Sequence, residues 1–236
     1  MEWRDQGILL ATRPHGEANA VAEVFTALHG RHAGLVRGGA SRKMAPVLQP
    51  GAQLDVTWRA RLEEQMGNFT TELLRARAGP IMGDRLALLG LGAICALCRY
   101  ALPERLAYPG LYAATEALMD MLGEPGWLRS YALWELHLLE ETGFGLDLAQ
   151  CAVTGASDGL AFVSPRTGRA VTTEGAGDYA ARLLPLPAGL ASGKPLDRAG
   201  LHAALDLSGY FLHNWLAEAI GRPLPEARAR LLAALL

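Results

Sequence analysis

Apolar and polar residues alternate along the first third of the chain, with the period of two that a half-buried β-strand requires. The alternation is clearest in Ala52–Arg61, where Leu54 and Trp58 share one face while Arg59 and Arg61 share the other. We therefore expect Trp58 to lie in a core rather than to serve as a base-stacking platform. Arg59 and Arg61 are expected on the solvent face, where both can reach a ligand.

Four further runs have strand character and are separated by turn signals such as Pro14–Gly16 and Pro50–Gly51. The five predicted strands are Gly7–Arg13, Val21–Leu28, Ala33–Gly38, Ala52–Arg61 and Asn68–Arg77. Short strands at this density, with a basic surface, favour a small Greek-key barrel such as the OB-fold.

From Asp84 onward the apolar positions recur at helical spacing, with Asp84 as a capping residue and Gly143 as a helix end. The predicted helices are Arg85–Tyr100, Leu111–Leu122, Trp127–Thr142, Asp197–Ile220 and Pro225–Leu235. A segment rich in Gly, Pro and Thr, Gly145–Gly193, is predicted to be irregular. The expected class is α+β, with an OB-fold β-barrel over residues 1–80 and an all-helical domain over residues 81–236.

Size and composition are those of a folded chain: of 236 residues, 50% are hydrophobic and 19% are charged. The first residues lack the pattern of a signal peptide. The longest uncharged apolar run, Leu86–Cys98, is too short to span a bilayer and suits a buried helix. We expect a soluble, cytoplasmic protein that becomes nucleoid-associated when bound to DNA.

Three cysteines are too few for a disulfide framework, although Cys95 and Cys98 form a C-x-x-C pair. That pair lies inside an apolar run, and no second pair completes a tetrahedral zinc site. We interpret both as buried core thiols. A redox enzyme that uses the pair is the alternative, and replacing both cysteines with serine separates the two.

Positive charge is concentrated in the segment Arg31–Lys43, which contains five basic or histidine side chains and no acidic residue. Gly34, Gly38 and Gly39 in this segment would let a ligand approach the backbone closely. Residues 1–80 carry ten Lys and Arg against eight Asp and Glu, whereas the whole chain has a net charge of −2. This local charge predicts contacts to a phosphate backbone, with a merely solvated charged face as the alternative.

Catalytic signatures are missing from the sequence, which has no Walker motif, no G-x-S-x-G and no H-E-x-x-H. The six histidines are scattered without a matching carboxylate cluster. We therefore expect a binding protein that is not an enzyme and needs no cofactor or metal. The candidate DNA-binding residues are Arg13, Arg31, Arg37, Arg42, Lys43, Arg59 and Arg61. Few aromatics accompany them, which predicts a grip on the backbone that leaves bases free to pair.

Several motifs resemble the RecO family of bacterial recombination-mediator and DNA-repair proteins. They are GILLATRPHGE (7–17), VFTALHGRHAGLVRGGASR (24–42), LQPG (48–51), WRAR (58–61), LDLAQCAVTG (146–155) and FVSPRTGRAV (162–171). The resemblance covers essentially the whole chain. It implies an N-terminal OB-fold that binds single- and double-stranded DNA, followed by a helical domain.

The same resemblance implies partners. Family members anneal complementary strands and, with RecR, help to load RecA onto DNA coated by single-stranded-DNA-binding protein (SSB). The helical domain is implied to receive the acidic, apolar-ended tail of SSB, and from the apolar helix faces we expect Arg99 or Arg129 to bind its terminal carboxylate. An OB-fold RNA-binding factor is the alternative function, because phosphate contacts do not distinguish DNA from RNA.

One departure from the family concerns metal. Many members carry two C-x-x-C pairs that hold zinc between the middle and final helices, whereas here only Cys151 stands in that region. We expect that the zinc site is lost and that hydrogen bonding and packing hold a degenerate knuckle at about residues 145–193.

Overall fold

A computed structural model describes residues 1–192 and 196–235. Five N-terminal strands form a closed barrel in the order β1-β2-β3-β5-β4, which confirms the expected OB-like barrel. The strands are β1 (Glu2–His15), β2 (Asn19–Thr26), β3 (Gly30–Val36), β4 (Gln53–Arg59) and β5 (Asn68–Arg75). All neighbours pair antiparallel except β3 and β5, whose short parallel contact closes the barrel.

Strand β1 is longer than the alternation predicts, because it serves two neighbours. Its first half pairs with β4 and its second half with β2, and the register shifts between Leu9 and Ala11. Such a bulge bends a strand and lets one strand turn a barrel corner. Trp3 lies in the part of β1 that pairs with β4, directly opposite Trp58.

The barrel core follows the alternation found in β4. Leu54, Val56 and Trp58 are buried, while Arg59 is exposed. The indole Nε1 of Trp58 donates a hydrogen bond to the carbonyl oxygen of Met66 at 2.8 Å, so its only polar atom is satisfied inside the core. The expectation that Trp58 is a core residue is confirmed.

Four of the predicted helices lie where their apolar spacing predicts, with ends shifted by at most two residues, whereas the α-helix predicted over Asp197–Ile220 ends at Phe211. The long ones are α1 (Arg85–Ala101), α2 (Pro109–Asp120), α3 (Trp127–Glu141), α6 (Arg198–Phe211) and α8 (Glu226–Ala233). The carboxylate of Asp84 accepts hydrogen bonds from the backbone N–H groups of Leu86 and Ala87 and caps α1 as expected. After α6 a π-helical stretch over residues 212–217 leads into the short α7 (Glu218–Ile220).

Two compact units divide the chain. The first contains residues 1–124 and 225–236, so it holds the barrel, α1, α2 and α8; the second contains residues 125–224. In the first unit α8 packs against α1. The boundary expected at residue 80 marks the change from strands to helices, whereas the barrel unit also includes three of those helices.

The segment expected to be irregular contains short regular elements within the second unit. A small sheet has the order β7-β6-β8, formed by β6 (Leu160–Val163), β7 (Ala170–Thr172) and β8 (Leu184–Pro185). The short helices α4 (Thr173–Ala176) and α5 (Ala188–Ser192) flank it. Cys151, Val171 of β7 and Ala176 of α4 are buried in one hydrophobic cluster.

The thiols of α1 are core groups, as the sequence predicts. Cys95 and Cys98 are both buried. Burial raises the pKa of Cys95 to about 12 and raises the pKa of Cys98 as well, so neither is a thiolate at neutral pH. Within the described part of the chain, none of the helices combines the length and the apolar content that crossing a bilayer requires.

Candidate nucleic-acid interface

The basic segment forms nearly all of β3 and the first part of the loop that leads to β4. Backbone hydrogen bonds from Ala45 to Ser41 and from Leu48 to Met44 fold this loop into turns. The side chain of Leu48 is buried and holds the loop to the barrel core. The cations of the loop are therefore carried on a fixed backbone.

The three glycines of this segment have different roles. A Cβ added at Gly34 would lie 2.4 Å from the ring of Phe69, and one at Gly39 would lie 2.9 Å from Ala20. Both glycines therefore serve packing within the barrel. Gly38 has φ +68 and open space around it, so it alone of the three leaves backbone that a ligand can approach.

Most of the predicted DNA-binding cations are exposed and unpaired. Five of these side chains make no hydrogen bond or ion pair within residues 1–192 and 196–235: Arg13, Arg37, Arg42, Lys43 and Arg61. All five lie on the barrel or its loops. Cations without an internal partner keep their full charge for an external phosphate.

Arg59 is exposed but has a carboxylate partner. Its Nη2 lies 2.7 Å from Oε1 of Glu2, and the side chains remain 67% and 53% exposed. The hydrogen bond to Glu2 raises the pKa of Arg59. An exposed pair of this kind is weak because water and salt screen it, so a phosphate can compete for the guanidinium.

Arg31 differs from the other predicted cations because the protein itself uses its guanidinium. Nε donates to the carbonyl oxygen of Leu102 at 2.9 Å, and Nη1 lies 3.2 Å from Glu23 and 3.4 Å from Glu104. Its side chain is only 16% exposed. Arg31 therefore fixes the segment after α1 to the barrel, and we leave it out of the candidate interface.

The two arginines expected at an SSB-tail site lie in different units and have different surroundings. Arg99 makes two hydrogen bonds to the carboxylate of Glu23, at 2.7 and 3.0 Å. These bonds hold the pKa of Glu23 below its ordinary value. In the second unit, Arg129 donates from Nη2 to the carbonyl oxygen of Gly189 at 3.3 Å, and its buried Nε has no partner among the described residues.

A depression in the barrel surface lies between the basic loop and the ends of β4 and β5. It has a volume of about 510 Å³, and its lining includes Arg37, Met44, Arg59, Asn68 and Phe69. The combination of cations with a neutral amide and an aromatic edge suits a sugar–phosphate strand. The structure thus brings the predicted Arg37 and Arg59 together, although 22 positions separate them in the sequence.

Sequence reasoning missed an aromatic pair near this surface. The rings of Trp3 and His29 are stacked, with centroids 4.0 Å apart and planes 6° from parallel. Trp3 is the single apolar residue in Glu2–Gln6, so the local sequence shows no alternation and does not reveal its neighbour in the β2–β3 turn.

In the described part of the chain, the basic surface is not accompanied by a cluster of metal-ligating side chains. Residues 1–192 and 196–235 contain no group of three or more His, Cys, Asp or Glu side chains that could hold a metal ion. The sulfur of Cys151 instead accepts hydrogen bonds from the backbone N–H groups of Thr154, at 3.4 Å, and Thr172, at 3.2 Å. Burial opposes ionisation of this thiol, but hydrogen bonds from the side chains and the backbone of Thr154 and Thr172 outweigh it and lower its pKa to about 6.

Comparison with known families divides the chain close to the change from strands to helices. Residues 1–77 match the family model described as Recombination protein O N terminal, and residues 82–228 match Recombination protein O C terminal.

Full-length relatives carry the name DNA repair protein RecO. One from Cereibacter sphaeroides is 58% identical over 233 residues, covering 98% of this chain and 97% of the relative. Another, from Dinoroseobacter shibae, is 56% identical over 232 residues and covers 98% and 96%. A third, from Jannaschia sp., is 57% identical over 236 residues and covers 100% and 96%.

Proposed function

Because the chain belongs to the RecO family of DNA repair proteins, we propose that it binds DNA through the unpaired cations of its barrel and acts as a recombination mediator. The observation that carries the proposal is the basic loop, where Arg37, Arg42 and Lys43 are exposed on an ordered backbone without internal partners in the described residues. Each phosphate contact releases counterions, which gives affinity without regard to sequence.

In this role the protein anneals complementary strands and, together with RecR, helps to load RecA onto SSB-coated single-stranded DNA. Holding strands by their phosphates leaves base edges free to pair, which annealing requires. The proposed role involves no bond-making chemistry and therefore no catalytic residue or cofactor. The protein would act in the cytoplasm, on the nucleoid, where these partners meet.

The direct test replaces Arg37, Arg42 and Lys43 together with alanine and measures the affinity for single-stranded DNA at several salt concentrations. Because each contact on a single strand contributes about 0.7 to the log–log salt slope, the magnitude of the slope should fall by about 2. The matched control removes three exposed cations elsewhere, Arg85, Arg166 and Arg230. The same loss of slope in the control would mean that net charge, rather than this loop, binds the DNA.

Mediator activity needs its own test. The wild type should accelerate annealing of complementary strands both with and without SSB, and the triple variant should be slower in both reactions. Annealing that is fast on bare strands and absent on SSB-coated strands would contradict the mediator role while leaving DNA binding intact.

RNA binding is the second candidate function, since the same cations would contact an RNA backbone. Competition between DNA and RNA strands of the same sequence separates the two, because only contacts to the 2′-hydroxyl distinguish them. A clear preference for RNA would contradict the DNA-repair proposal for this surface.

For the SSB tail we propose Arg129 as the less engaged candidate, because Glu23 already binds Arg99 with two hydrogen bonds. Arg129 makes only the 3.3 Å hydrogen bond to Gly189 in the described structure, so a terminal carboxylate can compete for its guanidinium. Arg129→Glu should weaken a labelled tail peptide more than Arg99→Glu does, with DNA affinity measured alongside. If neither change weakens the peptide, its pocket lies elsewhere.

A further inference from the structure

A second cavity opens on the barrel near the basic surface, with a volume of about 560 Å³. Its lining comes from the start of β1, the β2–β3 turn, β3, the end of β4, the loop before β5 and the segment between α1 and α2. The residues that matter for its chemistry are Trp3, His29, His32, Trp58 and Arg105. This volume lies within the usual range for small-ligand sites.

Flat rings form the walls of this cavity. Trp3 is stacked on His29, and it also lies near-parallel to Trp58, with centroids 5.9 Å apart. The side chain of His29 is 30% exposed, so the stacked pair reaches solvent. Parallel aromatic faces at a surface offer a flat ligand the stacking that single-strand-binding proteins use for bases.

His32 gives the cavity an unsatisfied polar group. The residue is only 4% exposed, and neither ring nitrogen has a hydrogen-bond partner in the described structure. Burial, aided by nearby Arg105 and His29, lowers the pKa of His32 to about 4, so the ring is neutral at pH 7. A neutral imidazole has one donor and one acceptor, which match the polar edge of an uncharged base better than they match a phosphate.

The charges around the cavity also favour an uncharged ligand. Glu2 and Glu63 belong to the lining, and their carboxylates would repel a phosphate. Arg105 is already engaged, because its guanidinium donates to the backbone carbonyls of Glu63 and Gln65. The N-terminal ammonium of Met1 likewise donates to the carbonyl oxygen of Ala60, so each cation of the lining already has a partner in the protein.

Two neighbouring depressions connect this cavity with the unpaired cations. The first, beside the basic loop, shares Arg59 and Asn68 with a depression that also contains Arg61. That middle depression shares Met1 and Glu2 with the aromatic cavity. A strand whose phosphates follow Arg37, Arg59 and Arg61 would therefore have a base within reach of the cavity.

We propose that the aromatic cavity of the barrel takes one unstacked nucleobase of a bound single strand, which stacks against the Trp3–His29 pair while its phosphates lie along Arg59 and Arg61. The inference rests on the proposed DNA binding and refines it. One base is removed from the strand as an anchor, and the remaining bases stay free to pair.

The test compares oligo-dT with an abasic oligomer of the same number of phosphates, measured with the full-length protein. The wild type should bind oligo-dT about tenfold more tightly, a difference typical of one base stacked on an aromatic side chain. Trp3→Leu retains an apolar side chain at the edge of the core, and His29→Ala is the second variant. Each should reduce the dT preference to less than twofold.

Two controls separate stacking from charge and from folding. Tyr179→Leu removes an exposed aromatic side chain outside the barrel and should keep the full dT preference. The triple change of Arg37, Arg42 and Lys43 to alanine should weaken both oligomers by the same factor. Melting temperatures show whether Trp3→Leu and His29→Ala remain folded, and His29→Ala still decides the question if the other variant unfolds.

Different outcomes overturn different claims. Equal binding of the two oligomers by the wild type would overturn the base cavity while leaving DNA binding intact, as would a preference that persists in both variants. Binding of neither oligomer would overturn DNA binding itself. Loss of SSB-tail peptide binding in Trp3→Leu, with the dT preference kept, would mean that the cavity receives a peptide side chain and would also overturn the proposal.

Discussion

At the scale of single residues, one buried guanidinium connects the end of β5 to α2. The side chain of Arg77 is 3% exposed and donates to the carbonyl oxygen of Gly51 and to Oε1 of Gln53, both at 3.0 Å. Its Nε lies 2.5 Å from Oδ1 of Asp120, which also pairs with Arg75. A buried cation needs such partners, since an unpaired one is strongly destabilising.

Asp120 should therefore make stability depend on pH in the acid range. Burial raises the pKa of Asp120, but hydrogen bonds from Arg77 and Arg75 outweigh it and hold that pKa below its ordinary value. The stabilisation that ionised Asp120 gives to the fold is therefore fully present above about pH 3.9, the pKa of an aspartate in the unfolded chain. It is lost as the pH falls through the lower pKa that Asp120 has in the folded protein. Asp120→Asn should lower the free energy of unfolding by about 1–3 kcal/mol at pH 7 and by less at pH 3.

Urea unfolding at the two pH values measures this effect. Asp158→Asn is the matched control, because Asp158 is exposed and its side chain has no partner in residues 1–192 and 196–235. If Asp120→Asn lowers the free energy of unfolding as much at pH 3 as at pH 7, the carboxylate stabilises the fold through packing rather than through its charge.

Arg31 and Arg37 show how far sequence can predict a site at this scale. Both belong to the same acid-free segment, and nothing in that segment distinguishes them. Folding brings Glu23 and Glu104 to Arg31 and leaves Arg37 without an internal partner in the described structure. Local composition therefore predicts the basic surface, whereas the tertiary fold decides which of its cations remain free.

At the scale of elements, patterns succeed where one strand or helix has one environment. The alternation in β4 predicts its buried face, and Asp84 marks the start of α1. The first half of β1 escapes prediction because most of its residues are exposed and only its pairing with β4 makes it a strand. The strands within Gly145–Gly193 span four residues at most, too few for a period to be seen.

The small sheet around Cys151 bears on the predicted absence of zinc. A structural zinc site needs four ligands, whereas here the sulfur accepts hydrogen bonds from two backbone N–H groups and lies 3.4 Å from the hydroxyl of Thr172. We predict well under one zinc per chain by elemental analysis, and a melting temperature that a chelator does not lower. Stoichiometric zinc that resists dialysis would contradict this reading of the segment.

At the scale of the whole molecule, α8 returns to the barrel unit after the entire second unit and packs against α1. Leu231 on α8 is fully buried, whereas its neighbour Leu232 is partly exposed. Leu231→Ala should lower the free energy of unfolding by about 2–5 kcal/mol, through lost burial and the cavity that remains.

The control is Leu232→Ala, which removes the same atoms from a position with more water contact and should cost clearly less. Urea unfolding monitored by tryptophan fluorescence measures both variants. Equal losses would mean that the alanine change weakens the helix itself rather than its packing on α1.

The late position of α8 in the chain also determines when, during synthesis, the apolar face of α1 is covered. The helix that contains the longest uncharged apolar run of the chain is synthesised before residues 125–224, and α8 follows only after them. At about 5–20 residues per second, that delay lasts roughly 5–20 s. During this interval the nascent chain exposes the apolar face that α8 later covers, so aggregation and chaperone capture have their best opportunity during translation rather than in the finished protein.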